Sequence, residues 1–493
     1  VKKHNIEILG GFEQIENKWS GIEAYRQSLY SNQNQILSLG DPLTSTNNGG
    51  VADWSLRSFF GRVSYNFDEK YFLESTLRND GSSRFAIGNK WGLFPSISLG
   101  WMVSKEGFMK SFEKLSNFKI RGSYGTLGNQ NIGLFRYTAN VFSGYDYTFG
   151  GVLASGYNTS YYANEDITWE KSTTLNIGTD IGFSLLGGNA SIVYDWYRRD
   201  TDDILLNLPI PLIVGLNPSE INAGKVRNQG WELTLSYENY AHDLGYKFNF
   251  IISDVKNEVV DLAGLSPIIG GNSILKEGYP IWAYYGWQSN GLFVDQADID
   301  NSPKQPNSAN IKPGDIKFVD RDGNGKIDDA DRYVMGSNIP RLTFGFNTEF
   351  KYKGFDLTAF FQGALKADMY FTDEGPQFQN AAPTRFLDRW SPSNPDPNAS
   401  MPRVTADNNY NNTFANDFWL KDGKYIRLKN LQLGYNFNES ISSKIGMSSI
   451  RLYVAGTNIL TFSNLQSGLD PELWSAGDYP TLSTYSVGLN LKF

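Results

Sequence analysis

The chain has 493 residues, a net charge of -8, no cysteine and two histidines. The lack of cysteine excludes disulfides, zinc–thiolate sites and thiol nucleophiles. An acidic balance without a basic stripe argues against nucleic acid as a partner, and no apolar run is long enough for a transmembrane helix. Charged residues are 19% and aromatic residues 15%, with 49 glycines. This composition favours a β-protein with many turns and bands of aromatic side chains.

Apolar and polar residues alternate along many short segments of the chain. Alternation with a period of two places successive side chains on opposite faces of a strand. The pattern predicts about fourteen strands, in chain order over residues 4–14, 55–67, 71–79, 91–104, 117–127, 171–183, 189–199, 230–240, 245–255, 340–350, 354–367, 424–437, 448–461 and 482–493. The last strand has about the length that crosses a bilayer when tilted. Its apolar residues are Tyr485, Val487, Leu489, Leu491 and Phe493.

The predicted connections are sorted by length. Short turns at 68–70, 185–188, 242–244 and 352–354 alternate with long connections at 15–54, 128–170, 200–229, 256–339 and 368–423, and the moderately short 105–116 has room for one helical turn. Antiparallel neighbours put every second connection at the same end of a sheet. All short turns therefore fall at one end and all long loops at the other, as in transmembrane barrels with short periplasmic turns and long extracellular loops. The predicted fold class is all-β, a transmembrane antiparallel β-barrel; a soluble sandwich has no reason to sort its loops in this way.

Several strings of residues, in one order from about residue 54 to the end, are similar to those of a known family. They are Arg78–Phe85 (RNDGSSRF), Phe94–Trp101 (FPSISLGW), Ile120–Gln130 (IRGSYGTLGNQ), Trp169–Ser172, Asn228–Leu233, Phe418–Asn430, Gly468–Glu472 and Tyr479–Phe493. They resemble the SusC/RagA-like branch of the TonB-dependent outer-membrane transporters. The resemblance implies a 22-stranded barrel with an N-terminal plug and a TonB box. We therefore expect residues 1–493 to be the C-terminal part of such a barrel, without the plug, the first strands or a signal peptide.

The resemblance also implies a function and partners. It implies TonB-dependent import of nutrients, of the oligosaccharide or peptide class, across the cell outer membrane. The chain would be the barrel subunit, surrounded by outer-membrane lipid and lying beneath a SusD-like lipoprotein, and TonB would act through the missing N-terminal region. The alternating residues Tyr485 to Phe493 would serve as the signal that the barrel-assembly machinery reads. The alternative is a non-transporting barrel scaffold in an outer-membrane complex, which a plug and a TonB box ahead of Val1 would argue against.

One acidic segment has the spacing of a metal loop. Between residues 320 and 331 it places oxygen ligands at positions 1, 3, 5, 7, 9 and 12, with Gly325 at position 6, as in an EF-hand calcium loop. The candidate ligands are Asp320, Asp322, Asn324, the backbone carbonyl of Lys326, Asp328 and Asp331. Asp331 stands where a bidentate Glu is usual, and no helix pair is predicted around the loop. We expect bound Ca²⁺ to stiffen the 256–339 connection; an acidic Asx-turn in a solvated loop is the alternative.

Catalysis has little support in the sequence. The histidines, His4 near the start and His242 in a short turn, have no nucleophile beside them, and we expect no enzyme. Aromatic side chains crowd two connections, where flat rings suit sugar faces or peptide side chains. Packing or anchoring at the membrane explains the same residues, so the sequence does not name a substrate. The two groups are Tyr279, Trp282, Tyr284, Tyr285 and Trp287, and Tyr161, Tyr162 and Trp169.

Overall fold

The structure is a computed structural model. It describes residues 3–159, 163–207, 211, 213, 215–217, 220–241, 243–306, 308–371, 384–404, 410–466, 468–473 and 479–493. His242, Tyr161 and Tyr162 lie outside the described residues. Within the described ranges, no helix has the length and apolar character needed to cross a membrane.

Fourteen strands form one antiparallel sheet, and their order in the sheet is their order in the chain. All fourteen strands predicted by the alternation are confirmed. They are β1 (His4–Tyr25), β2 (Thr46–Phe67), β3 (Tyr71–Ser82), β4 (Trp91–Met102), β5 (Leu115–Asn129), β6 (Glu170–Leu185), β7 (Gly188–Asp202), β8 (Lys225–Asn239), β9 (Leu244–Asp261), β10 (Arg341–Tyr352), β11 (Phe355–Lys366), β12 (Tyr425–Asn436), β13 (Ser449–Ser463) and β14 (Thr484–Lys492).

The first hairpin is longer than predicted. β1 and β2 pair without interruption from His4↔Phe67 to Tyr25↔Thr46, so the predicted connection 15–54 is wrong and the true one is 26–45. Beyond Phe12, the face that carries Ile6 and Ile8 continues with four polar residues, Gln14, Glu16, Lys18 and Ser20. The alternation therefore stops although the backbone ladder goes on. Each strand has 22 residues, about twice what a tilted strand needs to cross a bilayer.

The two faces of the sheet differ in chemistry. On β14 the predicted apolar set is exposed: Tyr485 is 74%, Val487 75%, Leu489 57% and Leu491 41% exposed. The opposite face of β14 carries Thr484, Ser486 and Asn490. The pairing of β12 with β13 shifts in register between Leu428 and Asn430. An exposed apolar face opposite a polar one is what a membrane-spanning sheet requires.

The predicted sorting of connections is confirmed with one exception, since 83–90 at the long end is shorter than 103–114 and 437–448 at the short end. One end carries 68–70, 103–114, 186–187, 240–243, 353–354 and 437–448, and the other carries 26–45, 83–90, 130–169, 203–224, 262–340, 367–424 and 464–483. The connection 83–90 is the shortest at the long end. The helical turn expected near 105–116 is also present, as two 3-10 turns at Val103–Lys105 and Gly107–Met109.

Two compact units divide the chain. The first comprises Val1–Gly100, Gly122–Leu175 and Arg199–Lys225, and the second Trp101–Arg121, Asn176–Arg198 and Val226–Phe493. The first contains a small core of Phe85, Phe94, Ile132, Ile167 and Trp169. The second contains a larger core built by the long connections. This second unit holds the two longest connections, 262–340 and 367–424.

Candidate functional site

The two longest connections, 262–340 and 367–424, share one buried core. Short strands at Ala283–Gly286, Ser289–Leu292 and Ile316–Phe318 give the first connection its own secondary structure. Trp287 lies at the centre, with its ring centroid 5.6 Å from that of Phe318 and 5.1 Å from that of Phe414. The buried residues are Tyr284, Trp287, Leu292, Ile316, Phe318, Ile327, Tyr370, Phe386, Trp390, Ala399, Met401 and Trp419. We call this set the loop core.

Two buried polar side chains next to the loop core, those of Asp315 and Asn412, are hydrogen-bonded. Asp315 is 0% exposed, and its Oδ1 accepts a hydrogen bond of 2.6 Å from Nε of Arg403. The side-chain oxygen of Asn412 accepts from the backbone N–H of Ile316 at 2.8 Å. Buried charges need such partners, because an unpaired one is costly to remove from water. The buried polar contacts therefore indicate that the loop core folds into one defined structure.

The acidic segment predicted to bind calcium forms a tight loop. Oxygen atoms of Asp320, Asp322 and Asp331 lie within 4.8 Å of one another. The backbone N–H of Gly325 donates to Asp320 at 2.8 Å, which holds the pKa of the Asp320 carboxyl below its ordinary value. Gly325 has φ +84, a conformation that glycine adopts without strain. The loop thus turns sharply at the position where an EF-hand-type loop requires it.

Other predicted ligands lie beside this group. Asn324 donates from its side-chain amide to Asp322 at 3.0 Å, and its side-chain oxygen accepts from the backbone N–H of Lys326. The carboxylate of Asp328 lies 2.7 Å from the ammonium of Lys326, and this contact lowers the pKa of Asp328. The structure therefore brings Asp320, Asp322 and Asp331 together and places Asp328 against a lysine.

The donor set suits a hard cation. Carboxylate and amide oxygens are the ligands that Ca²⁺ prefers. Carboxylates this close repel one another unless a cation or protons intervene. The loop is also fixed to the loop core, since Nε1 of Trp287 donates to the backbone carbonyl of Asp328 at 2.9 Å and Ile327 is buried. The loop core therefore holds the loop, and with it the candidate oxygen ligands, in place.

The predicted aromatic ligand-binding residues separate into two groups. Tyr284 and Trp287 are buried in the loop core, and Trp169 is buried against Phe85 and Phe94. These three side chains are part of buried cores and have no ring face open to a ligand. Tyr285 is half-buried, with the Arg332 guanidinium 5.9 Å from its ring centre. Tyr279 and Trp282 are exposed, so they are the described members of the set that are open to a ligand.

Arg427 organises a buried ionic network at the loop end of β12. It is 3% exposed and donates to Asp470 at 2.6 Å and to Glu472. Glu472 also accepts from Lys429 at 2.9 Å and from Gln362 at 2.6 Å. The network ties the described part of the 464–483 connection to the polar face of the sheet. Its members lie in two of the strings that carried the family resemblance, although their contact was not predicted.

A cavity of about 510 Å³ lies beside this network. Three connections and the ends of β10, β11 and β12 contribute to its wall, including Asn338, Asp368 and Glu472. Asn338 and Asp368 belong to no predicted motif, because they approach each other only when different connections fold together. Their positions just outside strand ends are the one signal that the sequence offers.

His4, the one histidine within the described residues, offers no catalytic arrangement. Its Nδ1 lies 2.8 Å from the Tyr65 hydroxyl, and both residues are on the first hairpin.

The sheet, its sorted connections and its two unlike faces define a membrane barrel, and comparisons with known proteins agree. Residues 6–459 match the family described as TonB dependent receptor-like, beta-barrel. The chain belongs to this family and is an outer-membrane protein. It is a family of receptors and transporters, which agrees with the expectation that the chain is not an enzyme.

Individual relatives lie in the SusC/RagA-like branch. TonB-dependent receptor P3 of Formosa agariphila is 31% identical over 99% of this chain and 51% of its own length. TonB-dependent receptor SusC of Bacteroides thetaiotaomicron is 31% identical over 89% of this chain and 44% of its own. The structure of the RagAB peptide transporter superposes with a TM-score of 0.81 at 25% identity, over 100% of this chain and 54% of that one. The chain therefore spans about half the length of the relatives it matches.

Proposed function

We propose that this chain forms the C-terminal barrel wall and outer loops of a TonB-dependent nutrient importer. The long connections face the outside of the cell, the substrate is an oligosaccharide or a peptide, and a SusD-like lipoprotein covers the loop end. TonB acts through a region on the N-terminal side of the barrel wall. As the last strand of the barrel, β14 is read by the assembly machinery through Tyr485, Val487, Leu489, Leu491 and Phe493.

One observation carries this proposal: the folded loop core at the long-connection end of a sheet that has a polar face. A passive scaffold needs only the outward apolar face. Here the polar face carries charged networks, such as that of Arg427, and two connections are built into a common structure at one end. Ligand sites on barrels are usual at the mouth, where loops meet the lumen. The similarity to SusC and to the RagAB peptide transporter supports the same assignment.

Uptake measurements test the proposal. The gene of the full-length protein is deleted, and cells are given labelled oligosaccharides or labelled peptides as nutrient. We expect loss of uptake of one class, restored by the wild-type gene and not restored in cells that lack TonB. Wild-type uptake of both classes after deletion, with a defect in the assembly of other outer-membrane proteins, would instead establish the scaffold role.

We also propose that Ca²⁺ binds at Asp320, Asp322 and Asp331, with Asn324 and the Lys326 carbonyl completing the site and Asp328 joining once released from Lys326. The approach of the three carboxylates supports this assignment. Because the loop is hydrogen-bonded to Trp287, the ion would stiffen the connection that contains it.

Terbium luminescence and proteolysis test the calcium site. Tb³⁺ replaces Ca²⁺ in oxygen sites, and the nearby Trp287 indole would sensitise its emission. We expect emission that Ca²⁺ displaces and that Asp320→Asn with Asp322→Asn abolishes. The matched control is Asp300→Asn, an exposed residue at the end of the helix Gln296–Asp300. Chelation should also speed cleavage within the 262–340 connection; unchanged cleavage would refute the stiffening role.

A further inference from the structure

The cavity beside the Arg427 network has an uneven distribution of polar groups. Its apolar wall includes Pro340, Met369, Pro471 and Leu473. Its polar lining residues are Asn338, Thr343, Gln362, Asp368, Tyr425 and Glu472. Gln362 and Tyr425 already donate to Glu472, so the acceptors include the Asn338 amide oxygen and the carboxylates of Asp368 and Glu472. At about 510 Å³, the cavity is within the range of small-molecule sites. A ligand that fits must combine an apolar body with a group that donates hydrogen bonds.

Two of these acceptors have capacity to spare. Oδ1 of Asn338 is buried and, among the described residues, receives no hydrogen bond. A buried acceptor without a donor is less stable than the same group hydrogen-bonded to water. Oδ2 of Asp368 accepts a hydrogen bond of 3.0 Å from the backbone N–H of Ser337. This contact places the Asp368 carboxylate beside Ser337, the residue that precedes Asn338 in the chain.

The two carboxylates differ in how their charge is balanced. Glu472 is paired with Arg427 and with Lys429. For Asp368, no ion pair with a lysine or an arginine occurs within the part of the chain that the structure describes. Among the described residues, the half-buried Asp368 carboxylate is therefore the carboxylate of the cavity that has no cationic partner. An opposite charge entering the cavity would gain both Coulomb energy and hydrogen bonds.

We propose that this cavity is a subsite for a cationic group on an apolar stem, an ammonium or a guanidinium. The head group donates to Asp368 and to Oδ1 of Asn338, and the stem lies against Pro340, Met369 and Leu473. A sugar ring fits less well, because the apolar wall leaves most of its hydroxyl groups without partners. The proposal deepens the proposed import function and rests on it for its biological meaning.

Binding of matched small probes tests the subsite on the purified full-length protein in lipid nanodiscs. The probes share a five-carbon stem: pentylamine, pentylguanidine, pentan-1-ol and pentanoate. A hydrogen bond to a charged group is stronger than one between neutral groups, so we expect the two cations to bind at least about tenfold more tightly than the alcohol. Pentanoate should bind least. Added salt should weaken binding of the cations and leave the alcohol unchanged.

Variants locate the effect. Asp368→Asn keeps the shape and an acceptor for Ser337, and it should reduce the affinity for pentylamine to that for pentan-1-ol. Asn338→Leu should also reduce the affinity for pentylamine. Asp300→Asn should bind all four probes as the wild type does. Unchanged heat-dependent migration on gels establishes that each variant is folded. Equal affinity for amine and alcohol in wild type, or an undiminished preference in folded Asp368→Asn, overturns the proposal.

The binding measurement does not depend on import. A cation preference that Asp368→Asn removes, in a protein whose deletion leaves uptake intact, would support the subsite and refute the importer. TonB-dependent uptake with no cation preference would refute the subsite alone.

Discussion

At the scale of single residues, two glycines allow charged side chains to meet across an intervening strand. Arg451 on β13 and Asp356 on β11 form a bidentate pair, with distances of 2.9 and 2.5 Å. Gly434 of β12 lies between them. A Cβ atom there would lie 2.6 Å from Nη2 of Arg451 and 2.7 Å from Oδ1 of Asp356. The glycine therefore makes room for the ion pair.

The same arrangement occurs elsewhere in the sheet. Arg121 on β5 donates to both oxygens of Asp195 on β7 at 2.6 Å. A Cβ atom at Gly178 of β6 would lie 2.5 Å from Oδ1 of Asp195. Both pairs lie on the polar face and link strands that share no backbone hydrogen bonds.

Adding a methyl group at Gly434 tests this interpretation. The backbone of Gly434 has no left-handed φ, so Gly434→Ala acts through space alone and must displace the Arg451–Asp356 pair. We expect a loss of about 1–3 kcal/mol in the free energy of unfolding, measured by urea denaturation in lipid vesicles. The control is Gly61→Ala on β2, where the nearest atom to the added Cβ lies 3.7 Å away. An equal loss in both variants would refute the role of Gly434.

The residues of a candidate site could be predicted from the sequence where the site lies within one segment of the chain. The spacing of Asp320, Asp322 and Asp331 predicted their approach, because a short loop with glycine turns leaves few alternatives. Asn338 and Asp368 escaped prediction since separate connections bring them together. For a similar reason the sequence does not tell whether an aromatic residue in a connection packs or binds a ligand. Trp287 is buried because a second connection covers it.

At the scale of elements, alternation predicts the strands but not their full length. The pattern exists because one face meets lipid and the other does not. It therefore identifies the membrane-crossing part of each strand, as in β14. Where β1 and β2 extend beyond that part, the backbone pairing continues without the alternation. The sequence carries no period-two signal there.

The 464–483 connection should become detached from the sheet in acid. Burial alone would raise the pKa of Asp470, but the N–H of Glu472 and the Arg427 guanidinium outweigh it and lower this pKa. Burial is likewise outweighed at Glu472 by Lys429 and Arg427, so its pKa is also lowered. Groups with lowered pKa values stabilise the folded state above their ordinary values, 3.8 and 4.5. That contribution is lost as the pH falls through the lowered values.

Hydrogen–deuterium exchange measures this detachment. After correction for the intrinsic rate, exchange in residues 468–473 should accelerate as the pH falls below about 4. In Glu472→Gln one titrating group is gone, so protection should be lower at neutral pH and should change less with pH. Peptides from β9 and β10 serve as the internal reference. Constant protection of 468–473 across this range would show that the ionic network does not hold the connection.

At the scale of the whole molecule, the order of the strands follows from local signals and the loop core does not. Fourteen strands joined by alternating short and long connections leave a single simple order, each strand beside the next in the chain. The loop core depends on contacts between residues far apart in sequence, such as Trp287 with Phe414. Period-two patterns give no information about such contacts. The sheet was therefore predictable, and the structure built upon its long-connection end was not.

The loop core should open without disturbing the sheet when its buried ion pair is broken. Asp315 is 0% exposed and paired with Arg403, and removing one partner of a buried pair destabilises by about 3–5 kcal/mol. In Arg403→Leu we expect faster exchange in residues 314–319 and 411–420, with β10 to β13 unchanged. Lys256→Met, which breaks an exposed pair with Glu258, is the control. Faster exchange in the strands as well would show that loop core and sheet unfold together; an unaltered pattern would show that the ion pair contributes little.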